Sequence, residues 1–97
     1  MTNEQNISCE ITVPAAVPEV WQAWTTEAGV ESFFSLKSKI DLRPGGAYEM
    51  FFNLKAKQGE QGGEGMIIMA IQPEKMLSFT WNAPPNLLQV RGHMTHV

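Results

Sequence analysis

From Ile7 the chain alternates cleanly: Ile7, Cys9, Ile11 and Val13 point one way and Ser8, Glu10 and Thr12 the other. That period of two predicts a half-buried strand. Cys9 lies on its apolar side and reads as a small buried hydrophobe, because no His or cluster of cations stands beside it to make a reactive thiol. Pro14 ends the strand, and Pro18 falls where a first helical turn tolerates a missing N–H. Val20, Trp21 and Trp24 then recur at i, i+1 and i+4, which predicts a helix of about two turns with one apolar stripe facing a sheet. Ala16 stands where a Ser or Asp cap would be expected, and Ala cannot accept a bond from the free N–H groups of the first turn. Thr25, Thr26 and Gly29 separate this helix from a second short one ending near Phe33 and Phe34.

The period returns to two at Leu36, with Leu36, Ser38, Ile40 and Leu42 on one face and Lys37, Lys39, Asp41 and Arg43 on a wet one. Arg43-Pro44-Gly45-Gly46 predicts a tight turn, Pro presetting its first central position and Gly supplying positive φ at the next. Tyr48, Met50, Phe52 and Leu54 form one face of the following strand, and the Gly-rich stretch from Lys55 to Gly63 reads as a mobile hairpin loop. Its glycines lack the spacing and the following Lys-Ser/Thr of a phosphate cradle. Met66 to Ile71 is apolar on both faces, so that strand is either central and covered twice or a docking surface on its outer side. Gln72-Pro73-Glu74-Lys75 turns the chain, and Leu77, Phe79 and Trp81 alternate against Met76, Ser78 and Thr80. Asn82 to Asn86, with Pro84 and Pro85, reads as irregular, and Arg91 to Val97 as the opening of another strand. No domain boundary interrupts residues 1–97. The elements together predict an α+β fold: a curved antiparallel sheet with two short helices after the first strand.

Composition narrows the function. With 97 residues, 43% of them hydrophobic, the chain can build one small core, although a domain of this size buries only about 60 to 70% of its unfolded surface. Net charge is −3 and no basic run occurs, which argues against nucleic acid and anionic membrane surfaces as partners. The polar start, MTNEQN, lacks the form of a signal peptide, and a single Cys cannot form an internal disulfide. A cytoplasmic location is the expectation.

The words Ile11-Thr12-Val13-Pro14, Val20-Trp21-Gln22-Ala23-Trp24, Asp41-Leu42-Arg43-Pro44-Gly45-Gly46, Gly65 through Gln72-Pro73, Leu77-Ser78-Phe79-Thr80-Trp81 and Thr95-His96-Val97 stand in an order that resembles the activator of 90-kDa heat-shock-protein ATPase-like family. That family lies in the START-like (SRPBCC, birch-pollen-allergen-like) superfamily. The resemblance covers nearly the whole chain, and RPGG followed by the P-x-x-x-L-x-F-T-W word is its most specific part. It implies a helix-grip fold, in which a curved sheet wraps a long C-terminal helix around an apolar cavity. Family members continue past the Thr-His-Val word, whereas this sequence ends at Val97, so the expectation is an incomplete, C-terminally truncated domain lacking that helix. A helix spanning a strand of about 9 residues, roughly 30 Å, needs about 20 residues. Without it the inward faces would form an open apolar concavity, which monomers rarely leave bare. A homo-oligomer through the exposed sheet face or edge is therefore expected.

The candidate ligand-binding residues are Trp24, Phe33, Phe34, Ile40, Tyr48, Met50, Phe52, Phe79 and Trp81, as lining of an apolar cavity; Tyr48 would be its polar handle or simply core. The expected function is a non-enzymatic module for an apolar small molecule, lipid or aromatic, with no cofactor. The resemblance offers two alternatives, a co-chaperone-like regulator of a 90-kDa heat-shock protein and a polyketide cyclase-like enzyme, alongside an inactive truncated form. Against an enzyme, Glu49 and Glu64 read as solvated surface carboxylates, and no acid/base pair is placed. His93 and His96, three apart on a strand, point to opposite faces and do not converge on a metal.

Overall fold

The computed structural model describes residues 7–82 and 94–97. The irregular segment expected around Pro84 and Pro85, and Arg91 and His93 of the expected last strand, lie outside the described residues. The fold is α+β in the order α1 (Val17–Thr25), α2 (Glu27–Glu31), β1 (Lys37–Ile40), β2 (Tyr48–Phe51), β3 (Gly62–Gly63), β4 (Ile68–Gln72), β5 (Met76–Trp81) and β6 (Thr95–His96).

Two three-stranded antiparallel sheets, β1-β2-β3 and β4-β5-β6, are joined into one curved surface where Ala47 pairs with Ile67. The Tyr48 N–H donates to Met66 O at 2.9 Å and the Ile68 N–H to Gly46 O at 2.9 Å, so β3 and β4 are successive parts of one strand alongside β2. Between them the register moves by one residue, from Met50 opposite Gly63 to Ala47 opposite Ile67. A second shift, between Ile68 and Ala70, interrupts the pairing of β4 with β5. Each extra residue flips the facing of the residues after it, which is why Ile68 and Ile71, three apart, both pack on the core.

The turns are explained by their residues. The Gly46 N–H donates to Arg43 O at 2.9 Å, closing a β-turn whose third residue, Gly45, has φ +82°; a side chain there would be strained. Gly62 has φ +154°, and a Cβ on it would come within 2.5 Å of Met50 O. Lys75 N–H to Gln72 O, 2.9 Å, closes the next turn, but here the left-handed position belongs to Glu74, φ 59°. That conformation costs a non-glycine residue on the order of 1 kcal/mol. Glu74→Gly is expected to raise stability by about 0.5 kcal/mol in urea denaturation, part of the relief being offset by the freer unfolded chain. A destabilised variant would show that the Glu74 side chain does something the backbone does not require.

The α1–α2 junction is capped by hydroxyls. The N-terminus of α1, at Ala16, has no side-chain cap, as its sequence predicts. At its other end Thr25 donates to Trp21 O (2.7 Å) and Thr26 to Gln22 O (2.8 Å), while Thr26 Oγ1 also accepts from the Gly29 N–H (2.9 Å) and so starts α2. The last four carbonyls of a helix have no partner within it; the Thr26 hydroxyl and N–H both reach one of them, Gln22 O, while Thr25 adds a donor to Trp21 O one residue earlier.

Among the described residues, six form the buried apolar core: Val30 from α2, Tyr48 and Met50 from β2, and Met66, Ile68 and Phe79 from the centre of the sheet. On the outer side of the central strand Ile67 and Met69 are exposed.

The predicted first strand is a correction. Ile7–Val13 carries no strand assignment, and Ile7 and Ile11 are 94% and 87% exposed. Cys9 is likewise exposed rather than buried. Alternation shows that a segment suits a ladder, but a ladder needs a neighbour, and among the described residues no strand lies beside this one. Leu36, Leu42 and Leu54 are also exposed, because β1 and β2 end before reaching them. No helix follows β5 among the described residues.

Candidate functional site

Seven of the nine expected lining residues form one continuous network of rings. Trp24, from the end of α1, meets Phe33 edge-on with centroids 5.1 Å apart and Phe34 at 5.5 Å. Phe34 meets Phe52 edge-on at 5.3 Å and Trp81 at 6.2 Å. Trp81 leads on to Phe79 at 6.0 Å, and Phe79 to Tyr48 at 4.7 Å. Tilted and edge-on pairs at such separations are the favourable arrangements for aromatic quadrupoles.

Burial grades along this network and changes the expected picture of a bare concavity. Tyr48, Met50 and Phe79 are core, covered by Trp24 and by α2 with its buried Val30. Trp24, Ile40 and Trp81 are half-buried at the edge of that core. Phe33, Phe34 and Phe52 are open to solvent, at 53%, 41% and 38% exposure. Phe52 lies one residue past the end of β2, so its partial exposure follows from strand length.

Two open clefts flank the network. One, of about 380 Å³, lies between α1 and the β4–β5 turn; Val17, Val20, Trp21 and Trp24 line one side, Met76 and Leu77 the other, with Glu74 and Lys75 at its rim. The second, of about 370 Å³, is lined by Phe33, Phe34, Leu36 and Phe52 together with Glu31, Ser32 and Ser35. Trp24 belongs to the first cleft and stacks on the aromatic wall of the second, so the surface is continuous. The Ser35 hydroxyl is buried and has no hydrogen-bond partner among the described residues, an arrangement that costs about 1–3 kcal/mol.

Tyr48 is not a free polar handle. Its hydroxyl donates to the Trp24 carbonyl at 2.6 Å, satisfying another terminal carbonyl of α1. Burial pushes this phenol up to about 12.

The two carboxylates that read as solvated hold backbone amides instead. Glu64 Oε1 accepts from the N–H groups of Gln61 (2.6 Å) and Gly62 (3.2 Å), and its Oε2 accepts from that of Gly59. Glu49 Oε2 accepts from the Gly65 N–H at 2.7 Å. The Gly-rich loop thus turns its amides toward an anion that the chain itself provides. Asn82, buried, completes the arrangement: its amide donates to Gly62 O (3.1 Å) and Glu64 O (3.2 Å), tying the end of β5 to the β3 bulge. Neither role is visible as a sequence word, although Gly-x-Gln-Gly-Gly-Glu offers a carboxylate within reach of successive loop amides.

His96 is exposed on β6. Among the described residues no group of three or more His, Cys, Asp and Glu is placed to hold a metal, and no helix is long and apolar enough to cross a membrane.

The sequence model of the family described as Activator of Hsp90 ATPase homolog 1-like protein matches residues 14–97. No curated protein and no solved structure matches the chain significantly.

Proposed function

Because the chain belongs to the activator of Hsp90 ATPase homolog 1-like family, within the START-like (SRPBCC) superfamily and its helix-grip fold class, we propose that it is a non-enzymatic module that receives an apolar small molecule, a lipid chain or an aromatic, on its concave face. One observation carries this reading: an unbroken run of rings from the buried Tyr48–Phe79 pair out to the exposed Phe34 and Phe52, with an open cleft at either side. Apolar lining with few polar groups is the usual character of sites for such ligands.

All three tryptophans, Trp21, Trp24 and Trp81, lie on this surface, so the protein carries its own reporter. Titration with a fluorescent apolar probe should give saturable binding and energy transfer from tryptophan, reversed by fatty acids or polycyclic aromatics. Phe34→Ala is expected to weaken the probe about tenfold, equivalent to ~1.4 kcal/mol. Absence of saturable binding by a folded sample would defeat the reading.

The description of the family favours a second reading, a co-chaperone-like regulator that docks on a 90-kDa heat-shock protein. Stimulation of that ATPase by this chain, unaffected by Phe34→Ala, would favour docking over ligand binding. A cyclase-like enzyme has less support, because the phenol best placed to give a proton is already committed to the Trp24 carbonyl.

A further inference from the structure

Among the described residues β1 is an outer strand of its sheet, paired with β2 alone. Successive amides of a paired strand point to alternate sides. The Asp41 N–H donates to Ala47 O beside β2 at 2.8 Å, so the amides of Ser38 and Ile40 face the outer edge. A row of such groups is a template for strand addition unless something occupies it. At Ile40 something does. Glu27, the first residue of α2, reaches the edge, and its Oε2 accepts from the Ile40 N–H at 3.0 Å.

The helix that carries Glu27 is seated by other means. Val30 is fully buried, Glu31 Oε2 accepts from the Ser38 hydroxyl at 2.7 Å, and Gly29 packs so tightly on α1 that a Cβ there would stand 2.4 Å from Gln22 O. None of these contacts involves the Glu27 side chain, so its carboxylate acts on the edge and not on the position of the helix. Lys39 adds a second obstacle. If two β1 edges meet about a two-fold axis, Ser38 and Ile40 of each exchange bonds with Ile40 and Ser38 of the other, and Lys39 falls opposite Lys39. In that non-hydrogen-bonded position the Cα atoms are about 4.5 Å apart, and like charges directly opposite are destabilising. Glu49, across the ladder from Lys39, turns its Oε2 to the Gly65 N–H instead.

We propose that Glu27 is an edge guard: its carboxylate stands where a carbonyl of an added strand would accept, and with Lys39 it keeps β1 of one copy from pairing with β1 of another. A backbone carbonyl cannot take the Ile40 N–H until the carboxylate leaves, and an ionised acceptor makes the stronger bond of the two. Any association of the unmodified chain therefore proceeds through a surface other than this edge. The β1 edge becomes an interface between copies only when the carboxylate is removed.

The test compares Glu27→Ala with the unmodified chain by sedimentation at tens of micromolar. The variant should show twice the mass of the unmodified chain, the more completely as added salt screens the facing lysines. Glu27→Gln, which keeps an acceptor at the edge, should not. Register is read by mixing Glu27→Ala with isotopically labelled Glu27→Ala/Lys39→Glu, which should give mixed dimers in excess of the statistical share by native mass spectrometry. Hydrogen exchange on dilute samples supplies a readout within one chain: the Ile40 amide should exchange faster in Glu27→Ala, with the Tyr48 and Ile68 amides unchanged. An unchanged mass at every salt concentration would overturn the proposal, as would statistical mixing. Equal exchange at Ile40 in the two chains would do the same, and acceleration shared by the Tyr48 amide would make Glu27 a support of the fold instead of a guard of its edge.

Discussion

Alkaline titration should show the single tyrosine resisting ionisation until the protein unfolds. Tyr48 is the only tyrosine in the sequence, so tyrosinate absorbance reports this one group. Its phenol is pushed from the ordinary value of 10.0 up to about 12 by desolvation. The fold therefore favours the protonated form. The resulting stabilisation is fully present below pH 10, the value of the unfolded chain, and is lost as pH rises through about 12. A difference of about two pH units corresponds to roughly 3 kcal/mol, a large share of the 5–15 kcal/mol typical of a whole domain. Urea midpoints should hold level to about pH 10 and then fall steeply, with tyrosinate appearing alongside unfolding.

Tyr48→Phe separates this effect from the lysines that titrate in the same range. Below pH 10 the variant should be less stable by about 1–2 kcal/mol, because the Trp24 carbonyl loses its donor in a buried place. Above pH 10 it should lack the tyrosine part of the alkaline decline, so the two stability curves converge. Free ionisation of Tyr48 near pH 10 in the folded protein would contradict both the burial and the hydrogen bond.

The contrast between Tyr48 and Ile7–Val13 marks how far the sequence could be read. Alternation put Tyr48, Met50, Phe79 and Trp81 on one inward face, and the structure brings them together, because β2 and β5 pair through turns encoded locally at Arg43–Gly46 and Gln72–Lys75. The same alternation at Ile7–Val13 predicted a strand that does not form within the described chain. Nothing local distinguishes the two cases; the difference is a neighbour, and that is a property of the whole sheet. The bulges were illegible for a related reason. The shift at Ile68/Ala70 puts Ile71 on the core side, so the all-apolar run Met66–Ile71 could not be divided between faces by counting in twos. The structure brings the aromatic candidates into one network of rings, but grades their burial where the pattern implied a uniformly open lining. Phe52 projects past the end of its strand, and Tyr48 disappears beneath Trp24.

The bulge beside the Gly-rich loop leads to the second large effect: Glu64→Ala should destabilise the protein by about 2–4 kcal/mol. Hydrogen bonds to a charged acceptor contribute about 1.5–3 kcal/mol each, and Glu64 accepts from the amides of Gly59, Gln61 and Gly62, half-buried as it does so. Those bonds are not independent, which keeps the total below their sum. The carboxylate holds Gly62 in its φ +154° conformation against Met50 O, where the β2–β3 ladder forms. Asn82 grips the same bulge from the other side through Gly62 O and Glu64 O. Loss of the carboxylate should therefore loosen a defined unit. Amide exchange at Gly59, Gln61 and Gly62 should accelerate first, with the Tyr48 and Ile68 amides at the β2–β4 junction still protected. Asn82→Ala should then cost less in the Glu64→Ala background than alone, since both act on one bulge. Full additivity of the two substitutions would show that the carboxylate and the Asn82 amide stabilise separate structures, and a Glu64→Ala cost below about 1 kcal/mol would reduce the carboxylate to a surface charge.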